Sequence, residues 1–205
     1  MPSIYGLKPR FQNLLRPVTK ALARAGVTAN QVTLFAMLIC LATGAAIFRW
    51  HSQRALLLLP IILFLRMALN AIDGMLAREH NQKTSLGAIL NELGDVLSDT
   101  ALYLPLAVIP GFNPALVVLI VLCAVFTEMT GVIAAQIGAS RRYDGPMGKS
   151  DRAFLFGALG LLLALKLPIV PGVPYVLCIV LALLLLTIVN RARKALAELR
   201  GSAAR

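Results

Sequence analysis

Cysteine is scarce in this chain. Cys40, Cys123 and Cys178 are the only three in 205 residues, and each stands alone inside an apolar run. That pattern excludes a disulfide framework and a thiolate metal site, and reads as small buried hydrophobes. Aromatic residues make up only 6% of the chain, and no basic patch is interleaved with stacking side chains, which excludes a nucleic-acid surface. No compact signal peptide with a cleavage site heads the sequence, so no processing is expected. There is no internal repeat, low-complexity segment or long linker, and residues 1–205 read as one domain. Charged residues are also few, 14% against 59% hydrophobic, with a mean hydropathy of +0.80. An ordinary soluble domain is therefore excluded.

Acidic residues are the scarcest charged class: nine Asp and Glu face twenty Lys and Arg, for a net charge of +11. The basic residues sit between apolar runs, so membrane topology and phosphate-bearing substrates explain the excess better than nucleic acid does. Residues 9–25 read as an amphipathic interfacial helix. Phe11, Leu14, Leu15, Val18 and Leu22 lie on one face and Arg16, Lys20 and Arg24 on another, with Pro17 a candidate kink and Gly26 a stop. Thr28-Ala-Asn-Gln31 has capping-box spacing, with Val27 and Val32 placed as a staple. A span needs about 20 apolar residues, and six windows qualify: 29–50, 55–78, 84–108, 114–139, 151–168 and 174–193. Ser150 is the expected cap of the fifth. The expected fold class is an all-α integral membrane protein, with an interfacial helix (1–27), a six-helix core (28–193) and a cytoplasmic tail (194–205). Sixteen of the Lys and Arg residues fall on the side shared by both termini, and three (Arg49, Arg54, Lys166) on the other. This asymmetry places both termini in the cytoplasm and the protein in a plasma (bacterial inner) membrane.

The polar residues inside the apolar runs are not scattered. The run before the 79–83 turn carries Arg66, Asn70 and Asp73; the run after it carries Asn91, Glu92, Asp95 and Asp99. If both are helices of one hairpin, a single antiparallel register sets Asp73 opposite Asn91, Asn70 opposite Asp95 and Arg66 opposite Asp99. Buried carboxylates are costly and mark a site, a pathway or a partner. Oxygen donors without Cys or His favour a hard cation, Mg²⁺ first, with Mn²⁺ or Ca²⁺ as substitutes. Gly74 and Gly87 leave room for a bulky group beside the backbone, and Arg78 can pair with phosphate.

The string Asp73-Gly74-x-x-Ala77-Arg78, eight residues, Gly87, three residues, Asn91, three residues, Asp95 resembles the signature of the CDP-alcohol phosphatidyltransferase family. The likeness extends to the interfacial helix, the Val-Thr-Ala-Asn entry to the first span and the six-span plan. It implies a CDP-linked lipid such as CDP-diacylglycerol as donor, an acceptor hydroxyl attacking the β-phosphorus, CMP as leaving group and a divalent metal at the cytoplasmic face. By the same resemblance, Asp73 ligates metal and seats the diphosphate, and Gly74, Ala77, Arg78 and Gly87 line the CDP pocket. Asp95 is then the general base, and the protein a homodimer.

The sequence departs from the family pattern of four Asp residues at the first and third positions, which are Asn70 and Asn91. The metal set becomes Asn70, Asp73, Asn91 and Asp95, with two formal carboxylates and a weaker pull on a free divalent ion. Three readings stay open: a metal arriving with the diphosphate, with Asp99 or Glu92 lending charge; a single metal; or a nucleotide pocket without transferase activity. Arg66 opposite Asp99 reads as a structural ion pair, or as charge compensation for the site. The 141–152 segment resembles the basic segment with which some relatives contact a phosphorylated acceptor. Arg142, Lys149 and Arg152 are accordingly candidates for an acceptor phosphate, against the alternative that they serve topology alone. Glu128 is expected to pair with another helix. The competing function classes are a catalytically impaired CDP-lipid-binding protein and an ion or solute transporter. Against the transporter, no inverted repeat or pair of broken helices is evident.

Overall fold

The computed structural model describes residues 7–203, and among them it is all-helical. Seven α-helices follow in order: α1 (Leu7–Arg24), α2 (Ala29–Trp50), α3 (Leu58–Glu79), α4 (Ser85–Tyr103), α5 (Pro114–Gln136), α6 (Lys149–Ala164) and α7 (Val173–Ala203). Short 3₁₀ turns occupy Gln53–Leu57, Leu104–Val108 and Val170–Gly172. Four helical stretches are long and apolar enough to cross a membrane: Ala29–Trp50, Gln53–Glu79, Pro114–Gln136 and Val170–Gly201. The remaining two expected spans are of another kind. Helix α4 carries Glu92, Asp95 and Asp99 along its 19 residues, and α6 is only 16 residues long.

Local chemistry accounts for most of the helix boundaries. Helix α1 runs through Pro17 and closes with a Schellman turn: Gly26 takes φ +78°, Val27 N–H donates to Leu22 O (3.0 Å) and Gly26 N–H to Ala23 O (3.1 Å). Helix α2 begins on the expected capping box, with Thr28 Oγ1 accepting from Gln31 N–H and Gln31 Oε1 from Thr28 N–H. Helix α6 starts at Lys149 rather than 151. Its N-cap is Gly148, whose N–H donates to Asp151 Oδ2 at 2.9 Å, so Ser150 is not the cap. Helix α7 does not stop at 193 but continues to Ala203; Arg205, counted with the tail charges, lies outside the described residues.

Helix α2 packs on α3 and α4, α5 on α7 and α4, and α6 on α3. The largest core cluster gathers Ile47, Leu56, Leu59, Leu102, Tyr103, Leu106, Ile120, Phe156 and Leu177, with Tyr103 stacked on Phe156 at 4.6 Å. Phe35, Phe64, Phe126 and Ile179 are large, apolar and exposed, as expected of faces meant for lipid. Helix α4 gives way to a 3₁₀ turn because Pro105 has no N–H for the carbonyl of Ala101. That carbonyl lies against Gly44 of α2, where a Cβ would overlap it. The absent side chain is what lets the two helices meet so closely.

Candidate active site

Helices α3 and α4 each pack on α2, and polar side chains bridge the two as the polar pattern requires. Arg66 on α3 contacts Asp99 Oδ1 and donates to the Asp95 carbonyl at 3.0 Å. Asn70 Nδ2, one turn along α3, donates to Asp95 Oδ1 at 3.3 Å. Two of the three expected pairings are thus present. No hydrogen bond joins the third pair among the described residues: Asp73 accepts from Thr33 Oγ1 of α2 at 2.8 Å, while Asn91 is exposed at the α4 surface. The hairpin is closed over by α2, so the partner of its outermost acid comes from a third helix. Thr33 carries no signal beyond being a hydroxyl in an apolar run.

Asp95 sits at the mouth of this polar seam, half-buried. Its Oδ1 contacts the Lys149 ammonium and receives Asn70 Nδ2 (3.3 Å) and Arg66 Nη2 (3.4 Å). Among the described residues no donor engages its Oδ2. Lys149 reaches it because it is the first residue of α6, at the end where α4 begins and α3 finishes. Asp73, though buried, is the one acid of the hairpin with no cation paired to it among the described residues. Glu92 is held by Arg141 (2.7 Å), Asp99 by Arg66 and Arg152, and Glu79 by Arg16 (3.0 Å).

The pocket residues around Asp73 are only partly free. The Arg78 guanidinium folds back over Gly74, where a Cβ would lie 3.0 Å from Nη2, so a side chain at 74 would displace it. Arg78 itself is exposed, and Ala77 is half-buried against the cluster of Ile72, Met75 and Leu76. At Gly87 the missing side chain admits Asn30 of α2, whose Oδ1 would be 2.6 Å from a Cβ. That glycine serves the α2–α4 approach as well as any ligand. Gln82 ties the same turn to α2 by accepting from Ala29 N–H at 2.7 Å.

Of the three basic residues proposed for an acceptor phosphate, only Lys149 lies at the mouth of the seam. Arg152 is fully buried; its Nη2 donates to Asp99 Oδ2 (2.7 Å) and Glu128 Oε1 (3.2 Å). Arg142 bridges Asp144 Oδ2 (2.8 Å) and Glu198 Oε2 (2.7 Å), which fastens the 137–148 loop to α7. Glu128, expected to pair with another helix, is a hub reached by Arg141 (3.3 Å), Arg152 (3.2 Å) and Arg191 (3.4 Å). Arg191, one of the Lys and Arg residues on the side of the termini, is buried, bonded to the Thr127 carbonyl and, through Nε, to the Asp144 carbonyl at 3.2 Å. Charge counting along the sequence cannot distinguish such an arginine from a topological one, because α7 carries it back under the loop. Outside the membrane-spanning helices, Asp144 is held below the usual carboxylate range by the Lys194 ammonium at 2.7 Å and by Arg142.

The donor set limits what metal the site can take. No group of three His, Cys, Asp or Glu is gathered for a metal among the described residues. The hairpin offers Asp73, the free oxygen of Asp95 and the carboxamides of Asn70 and Asn91. Mg²⁺ is commonly held by one or two carboxylates together with substrate phosphates. These residues fit one hard cation completed by a diphosphate.

The family model for CDP-alcohol phosphatidyltransferase matches residues 26–196. The chain is 49% identical over 194 residues to the inner membrane protein YnbA of Escherichia coli K12, covering 95% of this chain and 96% of that one. It is 33% identical over 159 residues to a phosphatidylinositol phosphate synthase of Mycolicibacterium smegmatis, covering 71% and 66%. The fold matches the crystal structure of the Mycobacterium tuberculosis phosphatidylinositol phosphate synthase with CDP-DAG bound, at a TM-score of 0.72 and 20% identity over 87% of this chain and 92% of that one. The same enzyme in complex with manganese and citrate matches at a TM-score of 0.72 and 20% identity, covering 87% of each chain. The chain belongs to the CDP-alcohol phosphatidyltransferase family, a family of enzymes.

Proposed function

We propose that this protein transfers a phosphatidyl (substituted phosphate) group from a CDP-linked lipid such as CDP-diacylglycerol to an acceptor hydroxyl, with release of CMP. The observation that carries the reading is Asp95, anchored through Oδ1 by Lys149, Asn70 and Arg66 at the mouth of the α3–α4 seam. A carboxylate oriented by one oxygen presents the other as a proton acceptor. The acceptor oxygen attacks the β-phosphorus as its proton passes to Asp95 Oδ2. The bond from that phosphorus to the bridging oxygen breaks, and the bridging oxygen leaves with CMP. Asp73, Gly74, Ala77, Arg78 and Gly87 line the CDP pocket, and Arg78 meets the diphosphate. Asp73, Asn70, Asn91 and Asp95 would hold a divalent ion, Mg²⁺ or in its place Mn²⁺ or Ca²⁺, which when bound offsets diphosphate charge.

The same reading treats residues 1–205 as one unit with six spans, α4 and α6 crossing beside the four longer helices and α1 lying at the interface. Both termini and the site face the cytoplasm, and the protein works as a homodimer. The Lys and Arg asymmetry supports the orientation. An acceptor phosphate, if the acceptor carries one, would meet Lys149, the one of the three basic residues at the mouth of the seam beside Asp95.

Purified protein with CDP-diacylglycerol, Mg²⁺ and a panel of acceptor alcohols should release CMP, and Asp95→Asn should slow release by about 10²–10⁴-fold. Release undiminished in Asp95→Asn refutes the base. CDP-lipid bound without CMP release marks a binding protein, and metal-independent solute flux in proteoliposomes a transporter.

A further inference from the structure

Two carboxylates facing one another across a helix pair repel unless a cation stands between them. The α3–α4 seam avoids that arrangement. At the Asn70–Asp95 pairing an amide donates directly to the carboxylate, and the positive charge at Asp95 Oδ1 comes from the Lys149 ammonium, with Arg66 behind it. The next pair inward is settled in the same way, Asp99 lying between Arg66 and Arg152. Each acid from Asp95 inward is therefore matched by a side chain of the protein, and the negative charge left over is Asp73, which accepts from the Thr33 hydroxyl and has no salt-bridge partner among the described residues. A second divalent ion at Asp95 would have to displace the ammonium and meet two carboxamides where it needs anions.

We propose that Lys149 is a built-in cation at Asp95, so that the site takes one divalent ion per chain, on the Asp73 side, and takes it together with the diphosphate. The inference rests on the transferase reading above and deepens it. Lys149 is here a positioning residue: it holds the Asp95 carboxylate while the diphosphate supplies the anionic ligands that Asn70 and Asn91 do not.

The test is Mn²⁺ binding followed by electron paramagnetic resonance on the purified full chain, with and without CDP. We expect weak Mn²⁺ binding alone, at least tenfold tighter binding with CDP, and a limit of one uncoupled ion per chain. Asp73→Asn should lose that ion. Asn70→Asp/Asn91→Asp/Lys149→Ala, checked for folding by circular dichroism, should take two ions with a spin-coupled spectrum. Two coupled ions in the wild-type protein with CDP bound overturn this inference and leave the transferase reading standing. A folded triple variant that still stops at one ion also overturns it. No binding of CDP in any condition overturns the transferase reading itself. If the triple variant does not fold, the wild-type stoichiometry decides.

Discussion

Removing the Arg152 side chain gives the sharpest test of how the polar interior is held together. Its guanidinium is fully buried and donates to Asp99 Oδ2 from Nη2 (2.7 Å) and Nε (3.2 Å), to Glu128 Oε1 (3.2 Å), and more distantly to Thr127 Oγ1 and the Met147 carbonyl (3.4 Å each). In Arg152→Met, Asp99 keeps Arg66 and Glu128 keeps Arg141 and Arg191, but Asp99 Oδ2 and Glu128 Oε1 lose the guanidinium that donates to them. Leaving a buried acceptor without its donor costs about 1–3 kcal/mol, a considerable share of the roughly 5–15 kcal/mol that separates folded from unfolded proteins. Asp99→Asn removes the charge that Arg152 answers, so the double variant should be less destabilised than the two single losses added together, by about 2 kcal/mol. The assay is unfolding in dodecylmaltoside micelles by added dodecyl sulfate, followed by circular dichroism, for the four proteins of the cycle. Additive losses refute the pairing. So does wild-type stability in Arg152→Met combined with a raised acceptor KM, which would return Arg152 to the acceptor site.

Gly44→Ala should destabilise by about 1–3 kcal/mol, because its Cβ would overlap the Ala101 carbonyl. Gly94→Ala, where the nearest atom to the new Cβ is Thr33 Cγ2 at 3.8 Å, should be neutral or stabilising by up to about 1 kcal/mol; equal effects in the same micelle assay would refute the close α2–α4 approach. Asp144 has its folded value below the usual carboxylate range, so its tie to Lys194 and Arg142 is complete above that range and is lost as pH falls through the depressed value. Hydrogen exchange in 137–148 should therefore quicken in acid below about pH 4, and Asp144→Asn should exchange fast at every pH. Acid-insensitive protection of that loop would show that Glu198 and Arg141 hold it without Asp144.

Much of the architecture could be read from short-range chemistry. Helix α2 begins and ends where its capping box and apolar window place it, since both signals are local. The hairpin register was legible because two helices joined by a short turn have little freedom in how they face each other, and the Arg66–Asp99 and Asn70–Asp95 pairings follow. Boundaries shifted where a local rule had a competitor. Asp151 reaches back to Gly148 and starts α6 two residues early, and Pro105 converts the end of an apolar run into a 3₁₀ turn.

The amino-acid sequence by itself determined the family, the helical class and the identity of the polar residues that the apolar runs must accommodate, because motif spacing and hydrophobic periodicity are properties of neighbours along the chain. Which carboxylate meets which cation was decided by tertiary structure. Thr33 comes to Asp73 from α2, Lys149 to Asp95 from α6, and Arg191 to Glu128 from α7, across 40, 54 and 63 positions of sequence. In a buried polar seam those encounters govern the charge balance, since a buried ion without its partner is costly. They make Arg152 part of the scaffold, leave Asp73 as the acid of the hairpin with no salt-bridge partner among the described residues, and set Lys149 on Asp95.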